Sequence, residues 1–538
     1  MATARSSYDQ SAPSYESLFS NTITRWIFNE KEQLRARYVK FNIAELQRVA
    51  GKAIQQDCCS RIEKIAEGGF NRVFLLTASN GQQVIARIPT SIAGPPHYTT
   101  ASEVATINFL RNVLGLPVPK ILAYSTSASN PVGAEYIIME YVQGESLATR
   151  WLSLTTEEVK HVMTQVAGLE HKTFSFRFPG YGSLYHSHDV ENCDSIPLEE
   201  QGYCIGPIAK REFWCDERGQ LEVDRGPWLQ PKDCVTSMAR REILWLKNFA
   251  QPRQRTNLFM PTDYDILPEE HISLLEKFIS VAPHLIPDKP GFSSPVLRHP
   301  DLNFANILLS PGSSEIVGVI DWQASTIFPF FMQTGYPDFC QHDYSQSQKL
   351  HKPSLPENME DLSAEEQTKA LMKYRMEEIN LYYTAATGVH NDKHIEVIRE
   401  PYLNMRQYLI QQTGYPWDAD LVNLRAALIG MTTRKAWDAI SSHPCPVSFS
   451  QTELEKSQEE SEEWNESQAL LTTIREDLGI DLEGGTTPEN FERASRRNSE
   501  YRQAMVDHCE EEKDRELMWR NWPFKDDEDR SACPAQGH

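Results

Sequence analysis

Short apolar runs rich in β-branched residues predict strands in two parts of this chain. Residues 307–309 and 316–320 flank the turn-forming run 310–314, a pattern typical of a β-hairpin. Nearer the start, residues 65–76 predict a strand, a glycine turn and a second strand, and Asn80-Gly81 is the hairpin signal that follows. Two further strands are predicted at residues 84–89 and 134–144.

Apolar residues recur at helical spacing through most of the remaining chain. A helix is predicted to begin near Thr100, and Val104, Ile107, Leu110 and Leu114 share one face of it. Later helical patterns cover residues 237–250, 269–281, 365–384 and 418–440, and Leu470, Leu471, Ile474 and Leu478 predict a further helix packed on the body. The fold class that these elements predict is α+β.

The length of 538 residues exceeds one average domain, and the predicted elements divide it into four parts. We expect an N-terminal extension at 1–44 and an N-terminal lobe, made of a sheet and a helix, at 45–144. A mainly helical C-terminal lobe is expected at 145–450, followed by an acidic helical tail at 451–538.

Charge is distributed unevenly along the chain. The net charge is −22, and the tail alone holds 24 acidic and 11 basic side chains, which argues against a nucleic-acid-binding surface. The acidic clusters are interpreted as a solvated face rather than a cation site. No apolar stretch approaches the roughly 20 residues of a membrane-spanning helix, so no transmembrane segment is expected. The ten cysteines form no C-x-x-C pair, which favours neither a zinc site nor a disulfide framework.

The run from His299 to Asn306, followed by Asp321, has the spacing of a kinase catalytic loop. In the pattern H-x-D-x-x-x-x-N, the Asp accepts the substrate hydroxyl proton, the Asn holds Mg²⁺, and an Asp after a short hairpin holds a second Mg²⁺. Asp301, Asn306 and Asp321 fill these positions. A hairpin would bring Asn306 and Asp321 together, so that their oxygens could ligate Mg²⁺ bridging ATP phosphates.

Each of these residues also has an ordinary structural interpretation. Asp301 could cap a turn, Asn306 could satisfy a loop backbone, and Asp321 could end a strand. Their joint spacing around a predicted hairpin favours phosphoryl transfer. His299 is interpreted as a hydrogen-bonding residue that shapes the loop rather than as a catalytic base.

The glycine turn of the N-terminal lobe is the predicted cover for the nucleotide phosphates. Backbone amides at Gly68, Gly69 and Asn71 could face phosphate oxygens, although a plain hairpin would have the same pattern. In the next strand, Arg87 stands where kinases carry the Lys of V-A-I-K. Its planar, permanently charged fork could reach both a phosphate and a carboxylate, or it could extend to solvent from a sheet edge.

Glu103 is the predicted partner of Arg87. Thr100 and Glu103 also match the capping box S/T-x-x-E, in which the Glu side chain caps its own helix. At the end of the last strand, Glu140 and Val142 are the candidates for a hinge that contacts adenine through its backbone. A buried strand ending in a turn at Gly144 is compatible with that hinge.

The chain resembles a known family in several motifs: EGGFNRVFLL, VIARIPT, IAGPP, ASEVATINFLR, NPVGAEYIIMEYV, HPDLNFANI and IDWQ. They are similar to the aminoglycoside phosphotransferase and choline-kinase branch of the kinase-like fold, and no A-P-E segment follows Asp321. More specifically, they resemble the fungal family of altered inheritance of mitochondria protein 9, from about Trp26 to Trp522. This resemblance implies a two-lobed kinase-like fold of the aminoglycoside phosphotransferase type and a mitochondrial association. Arg87 belongs to the family pattern.

Two functions are therefore expected from the sequence. The first is transfer of the ATP γ-phosphate, with Mg²⁺, to a hydroxyl of an unidentified small molecule. The second is a catalytically weak pseudokinase that acts as a mitochondrial interaction or assembly module, for which Arg87 is the main support. The aromatic-rich stretch 204–228 could line the acceptor pocket or form a buried loop. Residues 1–15 support a mitochondrial presequence only weakly, and the alternative location is the cytoplasm.

Overall fold

Fifteen strands are found in the computed structural model, which describes residues 15–255, 264–341, 352–417 and 419–526. In chain order they are β1 (Arg25–Trp26), β2 (Cys59–Glu67), β3 (Asn71–Ala78), β4 (Gln83–Pro89), β5 (Ile121–Ser125), β6 (Tyr136–Glu140), β7 (Glu145–Ser146), β8 (Ser183–His186), β9 (Ile196–Pro197), β10 (Tyr203–Gly206), β11 (Pro295–Leu297), β12 (Ile307–Leu309), β13 (Ile316–Val319), β14 (Ile327–Pro329) and β15 (Gly485–Thr486).

Seventeen α-helices lie within the same described residues. They are α1 (Glu16–Phe19), α2 (Glu30–Arg37), α3 (Ile43–Ala53), α4 (Tyr98–Asn112), α5 (Leu147–Arg150), α6 (Thr156–Ser175), α7 (Pro231–Phe249), α8 (Pro268–Leu285), α9 (Phe330–Gln333), α10 (Ala364–His390), α11 (Asp392–Ile398), α12 (Leu403–Gln412), α13 (Val422–Thr432), α14 (Arg434–Ile440), α15 (Gln451–Leu478), α16 (Phe491–Asp507) and α17 (Glu512–Asn521). None of them is long and apolar enough to cross a membrane.

A five-stranded antiparallel sheet forms the N-terminal lobe, with strand order β2-β3-β4-β6-β5. Its interior face alternates as the pleat requires, so that Phe74 and Leu76 of β3 and Ala86 and Ile88 of β4 are buried in one cluster. The turn after β3 places Gly81 at φ +86°, a backbone conformation that glycine adopts without strain. The predicted strands and hairpin are confirmed.

Helix α4 is buried on nearly all sides. It packs against strands β5 and β6 of the large sheet and against β8 of a small three-stranded sheet, β8-β10-β9. Ala101, Val104 and Ala105 are fully enclosed there, and Glu103 on the same helix is also buried. This position between two sheets holds the Glu103 side chain close to β4.

The hairpin predicted after the catalytic loop is present as β12 and β13. Its strands pair antiparallel, with Ile307 opposite Val319, and β7 adds a third strand along β12. A short connection leads from β6 to β7. The segment that joins the two lobes therefore contributes a strand, β7, to the sheet formed by the β12–β13 hairpin. Behind it, α6 and α10 pack together, and their apolar faces join the main core.

The tail returns to the start of the chain. Strand β15 pairs antiparallel with β1, helix α15 packs on α13, and Ile474, Leu478 and Trp522 form a buried cluster with Phe524. The predicted helical tail is confirmed, while the domain boundaries themselves stay a prediction. Of the acidic cluster 526–529, residues 527–529 lie outside the described residues, as does Asp418.

Two expectations about secondary structure were right in kind but incomplete in detail. The helical pattern at 418–440 forms two helices, α13 and α14, because Thr433 takes an extended conformation (φ −59°, ψ 144°) and its side chain accepts a hydrogen bond from Ala436 N at 3.4 Å. The stretch after Gly144 was predicted to be mainly helical, and the short strands β8, β9 and β10 within it were not predicted. These strands are two to four residues long, too short to produce a clear alternating pattern.

Candidate active site between the two lobes

His299 fixes the shape of the catalytic loop. Its Nε2 donates to Ile320 O at 2.9 Å, and its Nδ1 accepts from Asp301 N at 3.1 Å, which together define the neutral tautomer with the proton on Nε2. Burial lowers the pKa of His299. A neutral imidazole with both nitrogens engaged cannot serve as a base, so the geometry matches the structural role predicted for it.

Asp301 is exposed at the end of this loop, and two amides orient its carboxylate. Asn303 Nδ2 donates to Asp301 Oδ2 at 2.9 Å, and Asn306 Nδ2 lies 3.4 Å from the same oxygen. Asn306 Nδ2 also donates to Asp301 O at 2.8 Å. The second carboxylate oxygen, Oδ1, makes no protein hydrogen bond among the described residues.

The hairpin brings Asp321 beside this loop. Ile320 N donates to Asn306 O at 3.0 Å, which ties the residue before Asp321 to the residue before β12. Asp321 itself has φ +65°, the left-handed region that few side chains other than Asn and Asp tolerate. This turn directs the Asp321 carboxylate out of the hairpin and toward the N-terminal lobe.

Arg87 reaches Asp321 from that lobe. Its Nη2 donates to Asp321 Oδ1 at 2.7 Å and also to Gln323 Oε1, and its Nη1 donates to Glu103 Oε1. The capping-box alternative for Glu103 is thereby excluded, because α4 begins at Tyr98 and Thr100 Oγ1 donates to Glu135 Oε2 instead. The alternative in which Arg87 extends to solvent from a sheet edge is also excluded, since Arg87 is only 7% exposed.

The charges of this cluster shift one another's protonation. Burial raises the pKa of Glu103 to about 7, and the Asp321 charge adds to this, against the opposing effect of Arg87. Burial also acts to raise the pKa of Asp321, but the charge and hydrogen bond of Arg87 outweigh it and leave that pKa below its ordinary value. Arg87 thus holds Asp321 ionised, as a metal-binding carboxylate must be.

A cavity of 540 Å³ lies between the lobes at this point. Gly68, Gly69 and Asn71 line it from above, and Asp301 and Asp321 line it from below. Gly68 N donates to Asn71 O at 3.0 Å, so the glycine turn is closed by its own backbone. The volume is in the range of small-molecule sites.

Five predicted site residues do not line this cavity. Arg87 and Glu103 lie buried behind Asp321, and Asn306 lies buried behind Asp301. Glu140 and Val142 are not among its lining residues: the Glu140 carboxylate accepts from Lys120 N at 3.0 Å and pairs with Arg111, while Val142 packs over Gly318. Any adenine contact at these two residues would therefore use backbone atoms, as the hinge prediction requires.

Sequence reasoning missed Gln323. Its Oε1 accepts from Arg87 and from Asn71 Nδ2, and its Nε2 donates to Ala93 O at 2.8 Å, so it joins the glycine turn to the Asp321 loop. The sequence contained a signal for it, because Gln323 stands two positions after Asp321 and is the last residue of the motif IDWQ. Its buried contacts all come from the other lobe, which a local pattern cannot reveal.

Lys210 and Arg241 were also missed. They line the first cavity and an adjoining cavity of 590 Å³. Arg241 falls three residues after Met238 and four before Trp245, on the apolar side of α7. A charged residue on the apolar side of a helix is the sequence signal that could have identified it as a candidate site residue. Within the stretch 204–228, Glu212 and Phe213 line the second cavity, whereas Trp228 is buried in the core.

The donor set fits a magnesium ion. Mg²⁺ is commonly bound by one or two protein oxygens together with substrate phosphates and waters. Asp321 offers an ionised, exposed carboxylate at the cavity, and Asn306 offers its side-chain carbonyl oxygen beside Asp301. Among the described residues, no group of three or more His, Cys, Asp or Glu side chains could hold a metal. Asn306 and Asp321 stay the ligand pair predicted from the sequence.

Comparisons with known proteins identify relatives of this chain. The phosphotransferase enzyme family matches residues 61–187. A subtelomeric hrmA-associated cluster protein of Aspergillus fumigatus is 55% identical over 513 residues, covering 90% of this chain and 100% of that protein. Altered inheritance of mitochondria protein 9 of Zygosaccharomyces rouxii is 26% identical over 435 residues, covering 74% and 69%.

A solved structure is similar as well. The ternary complex of streptomycin, ATP and APH(2'')-IIa is 12% identical, with a TM-score of 0.37, covering 74% of this chain and 98% of that chain. The resemblance and the kinase-like α+β fold predicted from the motifs are confirmed. The chain belongs to the same family as the Aspergillus fumigatus cluster protein, and it carries the phosphotransferase enzyme family domain at residues 61–187.

Proposed function

We propose that this protein transfers the γ-phosphoryl group of ATP to a hydroxyl group of a small molecule. The observation that carries the proposal is that Asp301 and Asp321 line one cavity beneath the Gly68 and Gly69 turn. A carboxylate for the acceptor, a carboxylate for a metal and a backbone cover for phosphates are the parts that phosphoryl transfer needs. Similarity to phosphotransferases over residues 61–187 supports the same reaction.

Asp301 acts on the acceptor in this proposal. The acceptor hydroxyl oxygen attacks the γ-phosphorus, and the bond from that phosphorus to the β–γ bridging oxygen breaks. ADP leaves with the bond's electron pair, and the hydroxyl proton passes to Asp301 Oδ1. Asn303 and Asn306 hold the other side of the carboxylate, which leaves Oδ1 without a protein hydrogen bond among the described residues.

Asn306 and Asp321 would hold Mg²⁺, which when bound neutralises charge on the ATP phosphates. Arg87 keeps Asp321 ionised and in place, and Glu103 fixes the Arg87 guanidinium from the other side. The Gly68 and Gly69 turn covers the phosphates, with the Gly69 amide as the candidate donor because Gly68 N already donates to Asn71 O, while Glu140 and Val142 offer backbone atoms to adenine. Gln323 keeps the turn and the Asp321 loop together.

A nucleotide-binding module without turnover is the second candidate. It is favoured by one observation: Arg87 already divides its donors between Glu103, Asp321 and Gln323, so it faces the cavity only through Asp321. A lysine in that place would present a single compact charge. In this candidate, Arg87 locks the cluster and the chain serves as an interaction module.

Thermal unfolding of the purified protein tests the nucleotide site first. We expect MgATP to raise the midpoint, since a ligand of the folded state stabilises it by mass action, and we expect chelator or Asp321→Asn to abolish the rise. Turnover is then followed as ADP release with a panel of hydroxyl compounds. No midpoint shift at millimolar MgATP contradicts both candidates; a shift without ADP release for any compound favours the module.

We further propose a mitochondrial association. It is supported by the names of relatives such as altered inheritance of mitochondria protein 9 at 26% identity. Fractionation of cells that express the full chain with a C-terminal tag tests it. Recovery of the tagged protein only in the cytosolic fraction would contradict the association and would leave the phosphotransferase proposal unaffected.

A further inference from the structure

Two buried guanidinium groups share one carboxylate beside the candidate active site. Glu242 is fully buried and accepts from Arg218 Nε at 2.9 Å, from Arg218 Nη2 at 2.6 Å and from Arg241 Nε at 2.7 Å. Both arginines are positively charged at any pH at which the protein is folded. The two guanidinium groups exceed the carboxylate they share by one charge, and Asp216, which lines the first cavity, adds a negative charge beside Arg218.

Arg241 carries the uncompensated part of that charge. Its Nη2 donates to Gly414 O at 2.9 Å, its guanidinium carbon lies 4.7 Å from the centre of the Phe213 ring, and it is 1% exposed. Its Nη1 is buried and has no hydrogen-bond partner among the described residues. Arg241 lines both cavities, so this unused donor belongs to a residue on the wall of the cleft. Buried donors without partners are rare in folded proteins.

Lys210 adds a second positive charge on the same wall. It lines both cavities, its Nζ lies 5.4 Å from the centre of the Phe328 ring, and it makes no ion pair in the part of the chain that the structure describes. Arg298, a third cation on the second cavity, is compensated by Glu170 at 2.8 Å. The acidic side chain that lines the second cavity is Glu212, which is exposed.

The second cavity continues from the one that contains Asp301, and both are bordered by Pro300. A molecule whose hydroxyl lies at Asp301 would therefore extend its remaining part past Arg241 and Lys210. An anionic group there would lie against the Arg241 guanidinium, whose buried Nη1 has no partner among the described residues, and beside the Lys210 ammonium. A polycation there would place ammonium groups against two positive side chains at a direct electrostatic cost.

We propose, resting on the phosphotransferase function above, that the acceptor is an anionic hydroxyl compound whose carboxylate or phosphate group binds Arg241 and Lys210. This assigns the substrate class by charge and distinguishes the site from one for polycationic aminoglycosides. Arg241 is the specificity residue, and Lys210 completes the anion site. Transfer itself occurs at Asp301.

Binding of small anions tests the site without requiring turnover. The full chain is saturated with Mg-AMP-PNP to fill the nucleotide site, and its unfolding midpoint is followed with sodium phosphate or sodium acetate at an ionic strength matched by sodium chloride. We expect a saturable rise with at least one of the two anions. Arg241→Gln should weaken its apparent affinity about tenfold or more, since hydrogen bonds to charged groups are lost.

Two further variants keep the test decisive. Lys210→Gln changes a half-buried side chain and should also weaken the anion, in a protein that folds even if Arg241→Gln does not. Arg240→Gln is the matched control, because Arg240 is the exposed neighbour of Arg241 on α7 and contacts only Thr236 in that helix. A stronger effect of phosphate assigns a phosphorylated acceptor, and a stronger effect of acetate assigns a carboxylate.

The outcomes that would overturn the anion-site proposal differ from those that would overturn the phosphotransferase function. The proposal is overturned if neither anion raises the midpoint above sodium chloride, or if Lys210→Gln and Arg241→Gln bind it as the wild type does. It is also overturned if ADP release is stimulated by a cationic or neutral hydroxyl compound and Lys210→Gln leaves that rate unchanged. If MgATP alone fails to raise the unfolding midpoint, the phosphotransferase function is contradicted. Binding of the small anions is then judged independently of that function.

Discussion

Arg87 Nη2 donates to Asp321 Oδ1 at 2.7 Å, and this bond joins residues that are 234 positions apart in the sequence and lie in different lobes. The same guanidinium also binds Glu103 and Gln323. An arginine fork can serve three acceptors in one plane, whereas a lysine ammonium is a point charge on a flexible stem. The arginine at the usual lysine position thus has a structural consequence: the candidate metal-binding carboxylate of Asp321 is held by the N-terminal lobe.

Replacing Arg87 by Met should strongly destabilise the protein. It leaves Glu103 buried without its positive partner, and breaking one side of a buried pair costs about 3–5 kcal/mol. The free energy of unfolding from urea titration measures the loss. The double variant Arg87→Met/Glu103→Leu should recover much of it, because it also removes the buried charge; no recovery would show that Glu103 is not the reason.

The pH dependence of stability should report Glu103. Its pKa in the folded protein is about 7, above the ordinary 4.5, so between these values the folded protein binds more protons than the unfolded chain. The free energy of unfolding should therefore fall as pH rises through this window, by roughly 3 kcal/mol from this group. Urea titrations from pH 4.5 to 8 should show that Glu103→Gln lacks this component. Parallel wild-type and variant curves would contradict the assignment.

Asp301→Asn should separate chemistry from nucleotide binding. Loss of a proton acceptor at the reacting hydroxyl lowers turnover by about 10²–10⁴-fold, while the MgATP-dependent rise in the unfolding midpoint should persist, since Asp321 is intact. ADP release with an accepted hydroxyl compound gives the rate. Asn303→Ala removes one orienting hydrogen bond and should lower the rate less; equal rates for wild type and Asp301→Asn would refute the role of Asp301.

Gln323→Ala should loosen the glycine turn. The change removes the side chain that binds Asn71, Arg87 and Ala93 O, and leaving buried polar partners unsatisfied costs about 1–3 kcal/mol. Hydrogen exchange at residues 68–71 should become faster and MgATP affinity lower. Gln341→Ala, at an exposed position, is the comparison. Unchanged exchange in the turn would mean that its own backbone suffices to hold it.

Trp522→Ala should release the tail. Trp522 is 1% exposed, packs with Ile474 and Leu478, and donates its indole N–H to Asn498 Oδ1 at 2.8 Å. Truncation of such a buried aromatic costs about 3–5 kcal/mol. Limited proteolysis should then cleave after residue 479 before the body is attacked. Leu470→Ala, at an exposed position of α15, should leave the cleavage pattern unchanged.

The sequence was sufficient wherever neighbouring residues decide the structure. Strands β3 and β4 and the β12–β13 hairpin followed from short apolar runs and turn residues, and the positions of Asp301, Asn306 and Asp321 followed from spacing alone. The break at Thr433 and the short strands β8 to β10 were not predicted. The first depends on the extended backbone of a single residue, and the second on strands too short to produce a clear alternating pattern.

By itself, the sequence determined the types of the longer elements, the spacing of the H-x-D-x-x-x-x-N motif and the identity of the charged residues, because these depend on local pattern and chemistry. Only the tertiary structure decided that Glu103 binds Arg87 instead of capping α4, since burial beside β4 removes the alternative. It also decided that Arg218 and Arg241 share Glu242, and that Arg241 faces the cleft. Charge balance in a buried site is a property of three-dimensional neighbours, and residues far apart in sequence set it.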